Sequence, residues 1–462
     1  MSTPAPGSVD RRLALLVAGA LFMSNLDATV IAPAAPALAR DLGVPALSVG
    51  GLVTAYVLTL AVLVPVSGWL ADRYGARRVF GAAVAVFTVA SAGCALAPSL
   101  AVLTATRVVQ GIGGAMMVPV GRAAVLRGTA KSDLIRAVAW LTWPSLLAPV
   151  VAPALGGVLA SYASWRWVFV LNLPLGVLAW AAARRLVPDV RAADAAPLDA
   201  RGFALTAVGV GALVVGLTDV GSATPSAAVW APALAAAAAV LALAARHLLR
   251  APRPLLDLRV LRVATYRLTV ASGSVFRAVI TAVPFLVPLF LQLVAGWSAA
   301  AAGLALVPLF LGNVGIKPAT TPLLRRFGIR GVLLGALAGS IACLAAMAAF
   351  DASTAVPVLV VVLAASGVAR SIGFTAYNTV AFADVGPDRL TSANTLFSTL
   401  QELGGGLGVA LGALLVRAGG LVGEGGDAYR VAFAALAAVL LVPVVAAARL
   451  PRTAGAAVTG RR

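Results

Sequence analysis

Charged side chains are scarce in this sequence of 462 residues. Only 11% of them are Asp, Glu, Lys or Arg, whereas about 25% is usual for soluble globular domains. Hydrophobic residues make up 61% of the chain, and 46 glycines come in addition. Because so few charges cannot cover a surface that faces water, most of the chain is predicted to face lipid, and an array of soluble domains is excluded.

Cysteine and histidine are nearly absent as well. With 2 cysteines and 1 histidine, the chain cannot form an H-E-x-x-H zinc site. Cys94 and Cys343 lie inside apolar runs without the spacing of metal ligands, so we expect them to be packing residues. A G-x-x-x-x-G-K-[ST] loop for nucleotide phosphates does not occur either. We therefore expect a protein that is not an enzyme, holds no metal or cofactor, and is not an ATP-driven pump.

The apolar residues fall into runs that are long enough to cross a bilayer, for which a helix needs about 20 residues. The first run, 13–39, is too long for a signal-peptide core, so we expect it to remain as a membrane span. We predict an all-α membrane protein with fourteen transmembrane helices. Their ranges are 13–39, 49–71, 78–97, 99–127, 134–161, 165–186, 202–220, 226–248, 265–295, 299–323, 330–350, 355–381, 390–416 and 428–448.

The positions of the basic residues predict the orientation of these helices. The formal net charge is +19, but the arginines and lysines lie in short clusters between apolar runs, which argues against a nucleic-acid partner. With the N-terminus inside, 27 of the 35 fall on the cytoplasmic side, 4 fall outside and 4 lie within spans. Cytoplasmic loops are enriched in Lys and Arg, so both termini are predicted to be cytoplasmic.

An internal repeat divides the chain into two halves. The segment 68–79 follows the second predicted span, and the segment 321–332 follows the tenth; Leu, Arg, Gly, Arg and Val match between them at a single offset. Duplicated bundles with a central site are typical of secondary transporters. The predicted parts are a six-helix bundle at 1–190, an inserted helix pair with a basic cytoplasmic linker at 191–262, a second six-helix bundle at 263–450, and a cytoplasmic tail at 451–462.

Five motifs, spread over nearly the whole chain, carry a family resemblance. In order they are Leu26-Asp27-Ala28-Thr29-Val30 with Pro33 and Pro36, the loop Gly68–Val79, Arg107-Val-Val-Gln110-Gly111-Ile-Gly113-Gly114, Ala148-Pro149-Val-Val-Ala152-Pro153-Ala-Leu-Gly156-Gly157, and Trp165-Arg166-Trp167-Val-Phe169-Val-Leu-Asn172-Leu-Pro174-Leu-Gly176. Together they resemble the fourteen-span drug:proton antiporter branch of the major facilitator superfamily. The alanines at 148 and 152 depart from the family pattern, which prefers glycine there.

The resemblance implies a function. We expect a secondary active transporter of the bacterial inner membrane that works as a monomer and exports small lipophilic molecules in exchange for protons by alternating access. Two alternatives on the same fold remain open: a proton-coupled symporter, and an exporter of a metabolite, a lipid or a self-made antibiotic. A channel fits the duplicated halves less well, since these are suited to alternating access.

Two carboxylates lie deep within predicted spans, Asp27 and Glu402. A charge at the bilayer centre costs about 2.5–3.5 kcal/mol on insertion scales, so each is expected to bind protons or substrate, the alternative being a structural hydrogen bond. Arg107 and Asp27 both lie roughly 12–13 Å from the outer ends of their spans at 1.5 Å per residue. We therefore predict a pair that opens on protonation of Asp27, against the alternative of a permanent salt bridge. A cationic substrate would gain an ion pair at Glu402.

Three further groups of residues are candidates for the transport machinery. The loop Gly68–Val79 is expected to turn at two glycines and to latch a cytoplasmic gate, or else only to fix topology, through Gly68, Asp72, Arg73, Gly75, Arg77 and Arg78. Small residues and prolines of span five are expected to form a bent ridge for close helix packing, namely Ala148, Pro149, Ala152, Pro153, Gly156 and Gly157. The cavity is expected to include Gln110, Arg277, Arg370 and Asn378; the two arginines would pair with Glu402 or meet an anionic substrate group.

Overall fold

The computed structural model describes residues 10–127, 129, 134–189, 197–220, 225–386, 389–423 and 425–451. The chain is helical, as expected where no water is present to satisfy backbone N–H and C=O groups. The predicted tail beyond residue 451 and two parts of the predicted insert at 191–262, namely 191–196 and 221–224, lie outside the described residues. The helices are α1 (Arg11–Leu42), α2 (Gly50–Tyr74), α3 (Ala76–Ala95), α4 (Leu100–Arg127), α5 (Leu134–Tyr162), α6 (Trp167–Val170), α7 (Asn172–Leu186), α8 (Ala200–Val220), α9 (Ala227–Arg250), α10 (Ala264–Leu293), α11 (Ala299–Leu304), α12 (Val307–Gly315), α13 (Lys317–Ala348), α14 (Val356–Ala381), α15 (Leu390–Gly419), α16 (Gly426–Val439) and α17 (Leu441–Arg449).

Twelve helical segments within the described ranges are long and apolar enough to cross a membrane. Two further apolar helical segments, Leu147–Tyr162 and Ala299–Gly315, are shorter than that criterion requires. The second is divided between α11 and α12, where Pro308 lies in the first turn of α12 and has no N–H to continue the preceding helix. Helix covers all or nearly all of each of the fourteen predicted segments, but the count of fourteen crossings stays a prediction.

The internal repeat has a matching backbone conformation in the two halves. Gly75 ends α2 and precedes α3 with φ 93°, and Gly328 breaks α13 with φ 74°. Both lie in the left-handed region that glycine adopts without steric cost, and they occupy equivalent positions of the repeat. Gly68 does not turn the chain as predicted, because α2 continues without interruption to Tyr74.

Helices α1–α7 form one half of the bundle and α10–α17 the other, and the halves pack along two seams. Helix α2 packs on α15 along the first seam, and α5 packs on α11 and α12 along the second. The inserted helices α8 and α9 pack on each other, and α8 also covers the first seam through Val210. Val210 contacts Leu58 and Val62 of α2, in a cluster that also includes Leu403 and Leu407 of α15.

The single histidine belongs to the inserted pair rather than to the linker that follows it. His247 lies in the last turn of α9, and its Nε2 is 2.8 Å from Oδ1 of Asp199, just before α8. Burial raises the pKa of Asp199, but hydrogen bonds from the backbone N–H of Gly202, from His247 and from the backbone N–H of Leu255 outweigh it and hold that pKa below its usual value. The contact ties the start of α8 to the end of α9.

Candidate functional site

Asp27 lies at the centre of a polar cluster inside the first half. The other members of the cluster come from three other helices: Arg107 and Gln110 from α4 and Asn172 from α7, which bond to Asp27, and Ser91 from α3, which bonds to Gln110. All five side chains have essentially no solvent exposure. The predicted contact between Asp27 and Arg107 is present as an ion pair between Oδ2 and Nη1.

Hydrogen bonds hold both oxygens of the Asp27 carboxylate. Oδ1 accepts from Nε2 of Gln110 and from Nδ2 of Asn172, each at 2.9 Å. Gln110 also donates to Oγ of Ser91 at 2.7 Å and accepts from Nη1 of Arg107 at 2.7 Å. Since Gln110, Asn172 and Arg107 all donate to the carboxylate, the cluster is arranged for a deprotonated Asp27.

Arg107 is held by an aromatic ring as well as by the carboxylate. Its guanidinium carbon is 4.3 Å from the ring centroid of Tyr56 on α2 and 5.8 Å from that of Phe169 on α6. Nε and Nη2 are buried without a hydrogen-bond partner among the described residues. Arg107 is therefore incompletely bonded in this conformation. Each unsatisfied buried donor costs about 1–3 kcal/mol.

The glycines after Arg107 explain why α4 lies so close to its neighbours. A Cβ at Gly111 would lie 3.0 Å from the carbonyl oxygen of Tyr56, and one at Gly113 would lie 2.7 Å from that of Ala83. These contacts would be with backbone, which cannot give way easily. Helix α4 therefore fits between α2 and α3 only with glycine at both positions, and this brings Arg107 to Asp27.

A cavity of about 450 Å³ lies between the two halves. Helices α1, α2, α4 and α5 line it on one side, and α10, α12, α14 and α15 on the other. Asp27 is not among its described lining residues, but Ser24 and Tyr56 are. The hydroxyl of Tyr56 is 3.2 Å from that of Ser24, and its ring packs on Arg107. Tyr56 is therefore the direct link between the cavity and the buried cluster.

The cavity contains three of the residues predicted for substrate contact. Arg277, Arg370 and Glu402 line it, and within the described part of the chain no cation lies within ion-pairing distance of Glu402. Two predicted cavity residues lie elsewhere. Gln110 belongs to the Asp27 cluster because its amide bridges Asp27 and Ser91. Asn378 donates to the backbone oxygen of Phe374 in its own helix at 2.7 Å and is not a described lining residue.

The first turn of α3 is hydrogen-bonded to the residue that follows α7. Nε of Arg77 donates to the carbonyl oxygen of Val187 at 2.6 Å. Arg73 and Arg78 are exposed, and Asp72 is half-buried. The predicted gate residues therefore lie together at one end of the first half, with Gly75 as the residue that makes the turn possible.

The small residues of α5 allow two neighbouring helices to pack closely against it. A Cβ at Gly156 would lie 2.1 Å from the carbonyl oxygen of Val30 on α1, and one at Gly157 would lie 2.2 Å from that of Ala299 on α11. Ala148 and Ala152 are fully buried, and Pro149 and Pro153 line the cavity. The predicted ridge thus joins α5 to its own half through Gly156 and to the other half through Gly157.

Further contacts join the halves at the same end of the bundle. Oγ of Ser161 accepts from the backbone N–H of Ala300 at 3.0 Å, and Nε2 of Gln292 donates to the carbonyl oxygen of Pro33 at 2.9 Å. Oγ1 of Thr54 donates to the carbonyl oxygen of Gly406 at 3.2 Å. In the predicted orientation this end is extracellular, so the closed end of the cavity is the outer one.

Sequence reasoning missed three residues of the site: Tyr56, Ser91 and Asn172. Asn172 carries a signal, since an amide at the start of an apolar span needs a partner. Tyr56 and Ser91 carry none, because a tyrosine or a serine inside a spanning helix can equally face lipid, a neighbouring helix or a cavity.

Comparison with known proteins agrees with this architecture. The family model of the Major Facilitator Superfamily matches residues 17–409. The chain is 36% identical over 446 residues to the multidrug resistance protein MdtD of Cronobacter sakazakii, with 94% of each chain covered. It is 34% identical over 470 residues to the protein of the same name from Klebsiella pneumoniae, covering 100% of this chain and 98% of the relative.

A solved structure of low sequence identity supports the fold but carries no information about the function. An auto-inhibited peptide transporter of the POT family superposes with a TM-score of 0.71 at 16% identity, covering 96% of this chain and 97% of that one. The family match and the two relatives extend over most of the sequence and over both halves of the bundle. The chain therefore belongs to the major facilitator superfamily.

Proposed function

We propose that this protein exports lipophilic compounds across the bacterial inner membrane by proton-coupled antiport. The observation that carries the proposal is the buried Asp27–Arg107 pair, which contacts a cavity-lining residue, Tyr56, through Arg107. An intramembrane carboxylate that can gain and lose a proton, next to a cavity for an organic molecule, is what antiport requires. The relatives named multidrug resistance protein support export of drugs.

Alternating access accounts for the contacts between the halves. The conformation described above, with its outer end closed, is the inward-facing state of the proposed cycle. A lipophilic compound from the cytoplasm or the inner leaflet enters the cavity, the cytoplasmic rim at the Gly68–Val79 loop closes, and the outer contacts separate. We propose in addition that the chain crosses the membrane fourteen times, that both termini lie in the cytoplasm, and that the protein works as a monomer.

Coupling between proton and substrate is indirect in this proposal. Asp27 does not line the cavity in the described conformation, so a bound compound and a proton do not compete for the same atoms. Protonation of Asp27 removes the charge that holds Arg107. Arg107 then shifts against the ring of Tyr56, and the cavity wall moves with it. Glu402 remains a second carboxylate for a proton or a basic substrate group.

Transport in everted membrane vesicles tests the proposal. With an acidic vesicle interior, we expect fluorescent lipophilic compounds to accumulate inside while protons leave, and accumulation to stop when the pH gradient is collapsed. A panel of cationic, neutral and anionic compounds should be used, with vesicles that lack the protein as the control. If no compound moves against its gradient, or if accumulation survives collapse of the pH gradient, proton antiport is wrong.

Substitution of Tyr56 tests the indirect link. Tyr56→Phe keeps the ring on Arg107 and loses only the contact with Ser24, so we expect nearly normal coupling. Tyr56→Leu removes a desolvated cation–π contact that contributes about 2 kcal/mol. We expect the change of substrate affinity with pH to become smaller, by up to the about 30-fold factor that corresponds to this energy. The measurement is proton release on addition of substrate to purified protein in weak buffer. Equal release by the two variants would remove Tyr56 from the coupling path.

A further inference from the structure

The two walls of the cavity differ in charge. The described lining residues from α1, α2, α4 and α5 include no charged side chain, whereas those from α10, α14 and α15 contribute Arg277, Arg370 and Glu402. The ion pair of Asp27 and Arg107 is internally balanced and lies behind the first wall. The cavity therefore contains two cations against one anion, all on the side of the second half.

Neither cavity arginine is satisfied by the protein. Nε of Arg277 is buried and has no hydrogen-bond partner in the described part of the chain. Arg370 makes one described side-chain hydrogen bond, from Nη1 to the carbonyl oxygen of Ile280 at 3.2 Å. A guanidinium has five N–H donors, so most of the donors of both groups remain available to a bound molecule.

The two arginines also lack an anionic partner. No carboxylate lies within 4.0 Å of either guanidinium among the described residues, and the two groups repel each other electrostatically. Like charges in a low-dielectric cavity are costly. An anion bound between Arg277 and Arg370 would relieve the repulsion and provide acceptors for the unused donors.

Aromatic rings flank both arginines. The guanidinium carbon of Arg277 is 5.2 Å from the ring centroid of Phe374, and that of Arg370 is 5.8 Å from that of Phe310; both rings line the cavity. The remaining lining is largely aliphatic. Such a site fits a molecule with an apolar or aromatic body and one acidic group.

We propose that this protein transports amphipathic organic acids, whose acid group binds between Arg277 and Arg370. The inference rests on the proposed export function and names its substrate class. Arginine binds planar acid groups through two parallel N–H donors, and Phe310 and Phe374 contact the apolar body. Glu402 repels a second acid group and pairs with an amino group where the molecule has one.

Binding of three related dyes to the purified full-length protein tests the proposal. Dansylglycine is an acid, dansylamide is neutral and dansylcadaverine is a cation, and all three share one fluorophore. Because a hydrogen bond to a charged group contributes more than a neutral one, we expect dansylglycine to bind at least about ten-fold more tightly than either of the others. Equal affinities, a preference for the cation, or no binding of dansylglycine would overturn the proposal.

Variants separate charge recognition from general damage. Arg277→Gln and Arg370→Gln should each weaken dansylglycine binding about ten-fold or more and change dansylamide binding little. Arg277→Lys, which keeps the charge, should recover part of the loss. Glu402→Gln should strengthen binding of the acid and weaken binding of the cation, and a merely structural perturbation would weaken both. Arg430→Gln, at an exposed position remote from the cavity, is the matched control and should change nothing.

This binding experiment is independent of proton coupling. Selective binding of the acid without transport under a pH gradient would refute the proposed function and leave the substrate class in place. Proton-driven transport of neutral or cationic compounds, with no binding of the acid, would refute the substrate class and leave the function. Loss of affinity for all three dyes in Arg277→Gln, Arg277→Lys and Arg370→Gln alike would assign the arginines to structure and overturn the inference.

Discussion

Asp27→Asn is expected to abolish proton-coupled export. Asparagine has nearly the same shape as aspartate and can still bond to Gln110 and Asn172, but it cannot take up a proton in exchange for a substrate. Because asparagine, like protonated Asp27, has no charge to hold Arg107, we expect substrate affinity at every pH to match that of the original protein at acidic pH, although Asp27 is not a described lining residue of the cavity. Proton release on substrate addition should fall below detection, and affinity should no longer depend on pH.

The stability of the same variant provides a second measurement. Removing one partner of a buried ion pair costs about 3–5 kcal/mol, because the other charge stays buried and unpaired. Asp27→Asn should therefore lower the unfolding temperature. Adding Arg107→Gln should restore most of the stability without restoring coupling, since the buried charge is then gone as well. This combination separates loss of the proton site from loss of the fold.

Asp41→Asn is the matched control for Asp27→Asn. Asp41 lies on the same helix, with 46% of its side chain exposed, and pairs with Arg166. An exposed ion pair contributes about 0–1 kcal/mol, so neither coupling nor stability should change much. If proton release is undiminished in Asp27→Asn, the proton site lies elsewhere, and Glu402 is the first residue to examine.

Gly157→Ala is expected to shift the protein away from the inward-facing state. Its new Cβ would lie 2.2 Å from the carbonyl oxygen of Ala299 and 3.0 Å from Cα of Ala300, both backbone atoms. Helices α5 and α11 would have to separate at this end of the bundle, the outer one in the predicted orientation. Overpacking of this kind typically costs about 1–3 kcal/mol, which corresponds to a change of about 5- to 150-fold in the ratio of the two states.

Labelling of a single cysteine measures this shift. Thr54 is 1% exposed and bonds across the outer end to Gly406, so Thr54→Cys should react with a polar thiol reagent only when that end opens. The background is Cys94→Ala with Cys343→Ala, and Gly335→Ala on α13 is the control, since nothing lies within 4 Å of a Cβ at Gly335. Labelling that is equally slow in Gly157→Ala and Gly335→Ala would show that the α5–α11 contact does not set the state.

Much of the architecture could be predicted from hydropathy and charge. The apolar runs predicted the helices, and the predicted turn in the segment 68–79 occurs at Gly75. Its match in the repeat, Gly328, has a related conformation, because a positive φ requires the same residue type in both halves. The contact of Asp27 with Arg107 followed from their equal depth in the bilayer, since two opposite charges at one depth have few other partners.

The rotation of each helix about its axis was not predictable in the same way. When nearly every residue of a helix is apolar, periodicity does not distinguish the face toward lipid from the face toward a neighbouring helix. Gln110 and Asn378 were therefore predicted for the cavity although their side chains bond elsewhere, and the role of Tyr56 was not predicted. Gly68 was predicted to turn the chain because the presence of a glycine does not by itself distinguish a turn from the interior of a helix.

The position of the inserted helices determines how a lipid-dissolved molecule can reach the cavity from the side. Helix α8 covers the seam between α2 and α15 from Phe203, near one end, to Thr218, near the other, where Thr218 contacts Gly51. In the described conformation α8 therefore covers that flank of the bundle. In the proposed cycle we expect a lipid-dissolved compound to approach from the opposite flank, beside α5 and α12, and the inserted pair to make lateral entry one-sided in an otherwise nearly symmetric fold.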